Sequence, residues 1–376
     1  MKQSKKKNSY LWIGLFCVLF LTPLLTYPLF RRVIPITEIQ NRTYAARPEI
    51  SVENYEKIAG QTEDYFEDNL PYRDALIYLN TIFTYEVFGQ SVTEQVVVGE
   101  EDWLFYRESL ADYKKTNLYS EEELLQIKNN LEQSQRYLEE RGIEFIVFIG
   151  PNKATIYGED YLPSYIVQQD SVSRTEQLVT YIRENTDITI IFPKEELLTA
   201  AKEYPQEMLY FKSDTHWNFL GGYIGAGALL KEMDIELPAL KDVTLEKNTE
   251  PYFYWKNGYD MENMMGLTGY FKEPQNYQII GYTDNTVITE QDERRNYEEF
   301  DGVCRYYSDS ENEQKLMFVR DSFATGMLPY ITANFAEVYS PYQGKFEIES
   351  IDTEQPDIFV YEMVERADLL SFVLEE

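Results

Sequence analysis

Histidine is all but missing from this chain: His216 stands alone among 376 residues. Imidazole titrates near neutral pH and is the usual proton carrier in hydrolytic and acyl-transfer sites, so any such chemistry here must run through His216. Cysteine is nearly as scarce, with Cys17 and Cys304 the two present. Cys17 falls in an apolar run near the start, which leaves Cys304 alone in the rest. No intrachain disulfide can staple that part, and no zinc site of the Cys/His kind can be assembled from one of each. Its fold must be held by a hydrophobic core, for which the length is sufficient. Positive charge is short too: 34 Lys and Arg stand against 65 Asp and Glu, a net charge of −31. Such a surface excludes nucleic acid as a partner, since phosphate binding needs basic patches. No internal repeat or low-complexity run is visible, and no cofactor is expected.

What is present begins with Lys2, Lys5, Lys6 and Lys7, followed by a run over 10–30 without a charged residue and closed by Arg31 and Arg32. About twenty apolar residues span a bilayer core as a helix. The lysines place the N-terminus in the cytoplasm, and the absence of an A-x-A motif near Pro23 and Pro28 favours an uncleaved anchor over a signal peptide. Everything after Arg32 is then expected outside the cytoplasmic membrane. The expected organisation is a cytoplasmic tip and anchor over 1–32, a helical lead-in and hairpin over 33–119, and a catalytic domain over 120–376. Aromatics make up 15%, with 32 Tyr; their faces suit stacking on sugar rings, and equally the packing of half-buried strands.

Apolar periodicity predicts helices over 52–69 and 71–88, then a hairpin of 95–98 with 103–106 around Gly99-Glu100-Glu101-Asp102. Ser120 and Glu123 form a capping box that opens a helix to about 140, and Gly142 stops it. From there helix and strand alternate: strands over 143–149, 188–192 and 208–211, helices over 173–184, 194–203 and 217–233. The stretch from about 236 to 310 breaks the rhythm and is expected to be a β-rich insertion. The alternation resumes with a strand over 316–319, a helix over 323–333, strands over 336–339 and 357–361, and a last helix near residue 364. Strands separated by helices imply a parallel sheet covered on both faces, with a crevice beyond the carboxyl ends of the strands.

Asp214 precedes His216 by two residues, and in an extended or turn conformation the two side chains point to one side. The carboxylate can then orient the ring, which supplies two members of a nucleophile–base–acid triad. The competing reading makes Asp214 the N-cap of the following helix. Ser322, in Arg320-Asp321-Ser322, sits between an expected strand and the helix it feeds, as in a nucleophile turn; it too has an N-cap reading. Both segments follow expected sheet strands, and in a parallel sheet such ends lie on one edge.

Four stretches carry a family resemblance: Asp214-Thr215-His216-Trp217-Asn218, Asp321-Ser322-Phe323, the run from Gly99 to Tyr106, and Pro151-Asn152-Lys153. Together they resemble the alginate O-acetyltransferase group of SGNH-hydrolase-like proteins, whose Gram-positive members are called DHHW proteins. The resemblance runs from about Glu38 to the C-terminus. It implies a three-layer α/β parallel-sheet SGNH-hydrolase-like fold, circularly permuted, with the insertion at about 236–310. By position, Ser322 would be the nucleophile, His216 the base and Asp214 its orienting acid; Thr215 stands where the DHHW name has its second His. Asn152 is a candidate oxyanion donor beside the Ser322 N–H, or else a turn residue, and Lys153 a candidate partner for a carboxylate. The implied function is a membrane-anchored O-acetyltransferase acting on an extracytoplasmic polysaccharide through an acyl-serine, supplied by a multi-span membrane O-acyltransferase. An esterase with the same triad and a non-catalytic glycan-binding protein are the alternatives.

Overall fold

In the computed structural model the described residues are 54–248, 258–273, 276–281 and 302–375, with short stretches between residues 10 and 51. Among the described residues no helix is long and apolar enough to cross a membrane; of the anchor expected over 10–30, residues 11, 19, 20, 23, 24 and 27–30 lie outside them. The chain divides into two compact units, one of 1–93 with 262–270 and one of 94–261 with 271–376. The first holds the helices Ile58–Asp68 and Arg73–Phe88, the second of which leaves Leu76, Leu79, Phe83 and Val87 exposed.

Among the described residues the second unit has ten strands, β1 (Val96–Val98), β2 (Leu104–Tyr106), β3 (Glu144–Gly150), β4 (Thr189–Ile191), β5 (Leu245–Asn248), β6 (Asn276–Ile279), β7 (Val303–Tyr307), β8 (Lys315–Val319), β9 (Glu337–Pro341) and β10 (Ile358–Val364). Six of them form one sheet in the order β4-β3-β10-β8-β9-β7. β4, β3, β10, β8 and β9 run parallel, but β7 pairs antiparallel with β9, so the sheet is mixed rather than all-parallel. β7 also lies inside the stretch expected to be an insertion; the insertion proper contributes the small antiparallel pair β5–β6. Arg305 on β7 pairs with Glu337 on β9 and with Glu354, and Lys315 on β8 joins the same two carboxylates.

Successive side chains of a strand point to opposite faces, and both faces of this sheet are covered. Ile146, Phe148, Leu316, Phe318, Ile358 and Val360 enter one core with Trp217, Leu220, Tyr223 and Leu197. Phe145, Val147, Ile149, Met317, Val319 and Phe359 enter the other, against Ile127, Leu131, Leu138 and Leu178. The helices Glu121–Glu139 and Arg174–Asn185, which supply the last four residues, both open on reciprocal capping boxes, Ser120 with Glu123 and Ser173 with Glu176. The result is a three-layer α/β unit. Register fixes the functional edge: Gly150 is opposite Val364, and Val319 opposite Tyr361, so the loops leaving β3, β10 and β8 emerge side by side.

Three expectations fail for physical reasons. Residues 208–211 form no sheet strand, because their backbone is used within a tight loop: Leu209 O accepts from Asn218 N–H and Phe211 N–H donates to His216 O. The helix expected over 323–333 splits into a 3-10 turn, Phe323–Gly326, and a short helix, Leu328–Thr332, since Pro329 cannot donate back into a continuous helix. No helix follows residue 364 among the described residues; the chain stays in β10 through Val364 and then turns.

The helix Phe219–Glu232 is pressed against the turn after β8 so closely that a Cβ on Gly222 would stand 2.0 Å from the Gly326 carbonyl oxygen. Gly222→Ala must push these backbones apart, and overpacking of this kind costs about 3 kcal/mol. Urea denaturation should show the midpoint falling with an unchanged slope.

Candidate active site

The loop that carries His216 is held from both sides, by a buried lysine and a half-buried glutamate. Lys153, buried at the start of the helix Lys153–Tyr161, donates to the carbonyls of Phe211 (3.0 Å), Lys212 (2.9 Å) and Asp214 (2.7 Å). Burial pushes its ammonium down to about 7, against the carboxylates of Glu273, Asp260 and Asp214, which favour the charged form. The Lys153 partner is therefore a set of carbonyls, with the carboxylates acting at longer range. Glu273 takes the loop's donors, accepting from Lys212 N–H (2.8 Å) and from the N–H and hydroxyl of Ser213.

On this loop Asp214 Oδ1 accepts from His216 Nδ1 at 2.6 Å and from the His216 N–H at 3.0 Å. A carboxylate only accepts, so Nδ1 carries the proton and the neutral ring leaves the Nε2 lone pair free. Nε2 lies 2.8 Å from Ser322 Oγ, which donates to it. The structure thus brings together the three residues picked from sequence, with His216 and Ser322 separated by 106 positions. Burial works against a charged ring, but the Asp214 carboxylate, assisted by Asp260, outweighs it and raises the His216 pKa above its ordinary value. Asp214 moves the other way: burial favours its neutral form, and the imidazole and its hydrogen bonds prevail and keep it ionised.

Neither N-cap alternative holds. The helix Phe219–Glu232 is capped by Asn218, whose Oδ1 accepts from Leu220 N–H and Gly221 N–H. Ser322 makes no cap bond; Asp321 Oδ1 accepts from Phe323 N–H at 2.7 Å instead, while its Oδ2 takes Val364 N–H. The serine hydroxyl is therefore available to the imidazole. Trp217 Nε1–H donates to Phe323 O at 2.7 Å and ties the histidine loop to the serine turn. Asn152, at the end of β3, is buried, with its amide donating to Asp112 (3.2 Å) and its carbonyl accepting from Arg366 (3.1 Å). One of its two amide hydrogens remains for another acceptor.

Three residues that sequence reasoning did not single out belong here. Glu273 is described above. Asp260 accepts from Thr215 N–H at 2.8 Å and from the Thr215 hydroxyl, and its own N–H donates to Asp214 Oδ2 at 2.9 Å. Arg366, in the loop after β10, lies over the rings of Tyr106 and Phe323. Asp260 and Glu273 sit in the irregular stretch where no periodicity points to either; Arg366 follows a strand end and was legible in principle. Asp214, His216 and Asp260 hold ligand atoms within 4.8 Å of one another, the spacing a metal ion would need. The 2.6 Å Nδ1–Asp214 contact is that of a shared proton, which a metal would have to displace.

A family model described as the SGNH hydrolase-like domain of the acetyltransferase AlgX matches residues 96–298, which includes Asp214 and His216 and stops short of Ser322. A probable alginate O-acetylase, AlgJ of Pseudomonas putida, is 22% identical over 201 residues, 52% of this chain; the match spans about half (49%) of that relative's length. Among solved structures, Bacillus cereus PatB1 superposes with a TM-score of 0.52 at 16% identity, covering 74% of this chain and 99% of its own. A DHHW family protein from Eubacterium siraeum gives a TM-score of 0.48 at 14% identity over 76% of this chain and 94% of its own.

The Lys153 clamp makes a clear prediction. Lys153→Met takes a donor from three loop carbonyls, of which Lys212 O keeps the Leu104 N–H, and an unsatisfied buried polar group costs about 1–3 kcal/mol. Urea unfolding should register a loss of about 3 kcal/mol, partly offset by the relief of burying no ammonium, together with reduced turnover in the fraction that remains folded. Unchanged stability and turnover would remove Lys153 from the architecture of the site.

Proposed function

The chain belongs to the family of SGNH hydrolase-like domains of the AlgX acetyltransferase type, and on that premise we propose that it is a membrane-anchored O-acetyltransferase. It moves an acetyl group to a hydroxyl of an extracytoplasmic polysaccharide through an acyl-Ser322 intermediate. The observation that carries this reading is the unbroken hydrogen-bond chain from Ser322 Oγ through His216 to Asp214. His216 Nε2 takes the hydroxyl proton as Oγ attacks the acetyl carbonyl; the imidazolium returns it to the departing group, leaving acetyl on Ser322. The sugar hydroxyl then repeats the attack, with His216 again taking the proton and finally returning it to Ser322 as the acetyl leaves. Asp214 fixes the tautomer and stabilises the imidazolium. The Ser322 N–H and the spare Asn152 hydrogen are the candidate donors to the oxyanion.

The polysaccharide acceptor is supported by the name of the AlgJ relative, a probable alginate O-acetylase. The anchor is supported by the uncharged run over 10–30. In that setting the acetyl donor is furnished across the membrane by a multi-span O-acyltransferase.

Two experiments test the reading. A sulfonyl ester reagent should add one covalent group to the peptide containing Arg320-Asp321-Ser322-Phe323, detected by mass spectrometry. With an activated acetyl ester and an oligosaccharide, acetylated sugar should form. Ser322→Ala should abolish both; acetyl release to water alone would indicate an esterase, and retention of turnover in Ser322→Ala would sink the nucleophile assignment. Separately, cell fractionation should leave the full-length protein in membranes after a high-salt wash, with its C-terminus open to external protease. A soluble form beginning near residue 30 would rule the anchor out.

A further inference from the structure

Asp214 uses every acceptor position that a triad acid needs: Oδ1 holds the ring and the main chain of His216, and Oδ2 holds the main-chain N–H of Asp260. The Asp260 side chain turns back toward the same ring. Both of its oxygens accept from Thr215, one from the N–H and one from the hydroxyl. Its Oδ2 then stands 3.8 Å from His216 Nδ1, and Thr215 Oγ1 lies 3.3 Å from the same nitrogen. Two carboxylates thus stand beside Nδ1 of the only imidazole in the chain, Asp214 at 2.6 Å and Asp260 at 3.8 Å, each fixed by main-chain hydrogen bonds.

We propose that Asp260 is a positioning residue of this site, a second negative charge held by Thr215 behind the imidazole, which favours the protonated ring when His216 accepts the Ser322 proton. The inference rests on the reading of His216 as general base. Two charges of opposite sign within about 4–6 Å favour the charged form of each. Other groups that face the ring are accounted for: Asp214 attracts the imidazolium, Arg366 from the loop after β10 repels it, and burial opposes it. Ser322 and Phe323 on the serine turn are uncharged, and the Lys153 ammonium beneath the loop is attracted by Glu273, Asp260 and Asp214. Asp260 carries the cost of its place, since burial and the Asp214 charge push its own carboxyl up to about 6.

Because His216 is the sole histidine, its Cε1–H pair gives one titrating signal in a carbon–proton correlation spectrum and needs no assignment. In Asp260→Asn the His216 midpoint should fall by about one pH unit, while Asp260→Glu, which keeps the charge, should restore the wild-type midpoint. Thr215→Val removes the hydroxyl bond that holds the carboxylate and should move the midpoint part of the way. The acid limb of Ser322-dependent acetyl ester turnover should move down by the same amount in each variant. A purely structural Asp260 would lower turnover without displacing midpoint or limb. A folded Asp260→Asn protein whose His216 midpoint stays within about 0.2 of wild type overturns the proposal, as does a Thr215→Val protein that titrates like wild type. If the midpoint shifts but the wild-type protein shows no Ser322-dependent turnover, the electrostatic inference stands and the acyltransferase reading falls.

Discussion

An ammonium group leaves water at a cost of several kcal/mol unless all of its hydrogens find acceptors. Lys153 meets that demand with three carbonyls of one loop, and in doing so fixes the course of the chain from Phe211 to Asp214. Glu273 supplies the complementary grip on Lys212 and Ser213. Between them Lys153 and Glu273 engage the carbonyls of Phe211, Lys212 and Asp214 and the N–H groups of Lys212 and Ser213, and the loop does not join the large sheet. The direction of the His216 ring follows from this, because Asp214 is fixed at the end of the clamped segment. The serine is brought to the ring by a different route, through the close contact of the helix Phe219–Glu232 with the turn at Gly326 and the Trp217–Phe323 hydrogen bond.

The local signals that could be read from sequence were those whose physics is local. Ser120 with Glu123 predicts a helix start because both partners lie within one turn, and the structure has that capping box. The β-branched run ending near Ile149 reads as a strand buried on both faces and forms β3. Asp214, His216 and Ser322 were recognisable because residue types and spacing limit what an acyl-transfer site can use. Assembly of the three across 106 positions required only that both segments reach one sheet edge. That expectation held, although one of its premises, a sheet strand before Asp214, did not.

What sequence did not disclose depends on contacts between distant residues. Residues 208–211 have the composition of a strand, yet their backbone pairs with the chain just ahead. Nothing near Asp260 or Glu273 marks either as a partner of residues 212–215, since the stretch that carries them has no periodicity. The antiparallel β7 was hidden for the same reason. Lys153 was seen as a residue in need of a partner, and its partners proved to be main-chain groups that no residue type identifies.

That last point has an evolutionary side. Every residue carries a carbonyl, so a clamp that grips carbonyls is indifferent to the side chains at positions 211 and 212. Phe211 is held by its own burial, so the freedom falls to position 212, whose half-buried side chain can change while the histidine keeps its place. The burden of invariance falls on Lys153 and Glu273, the two side chains that grip the loop from opposite kinds of main-chain group.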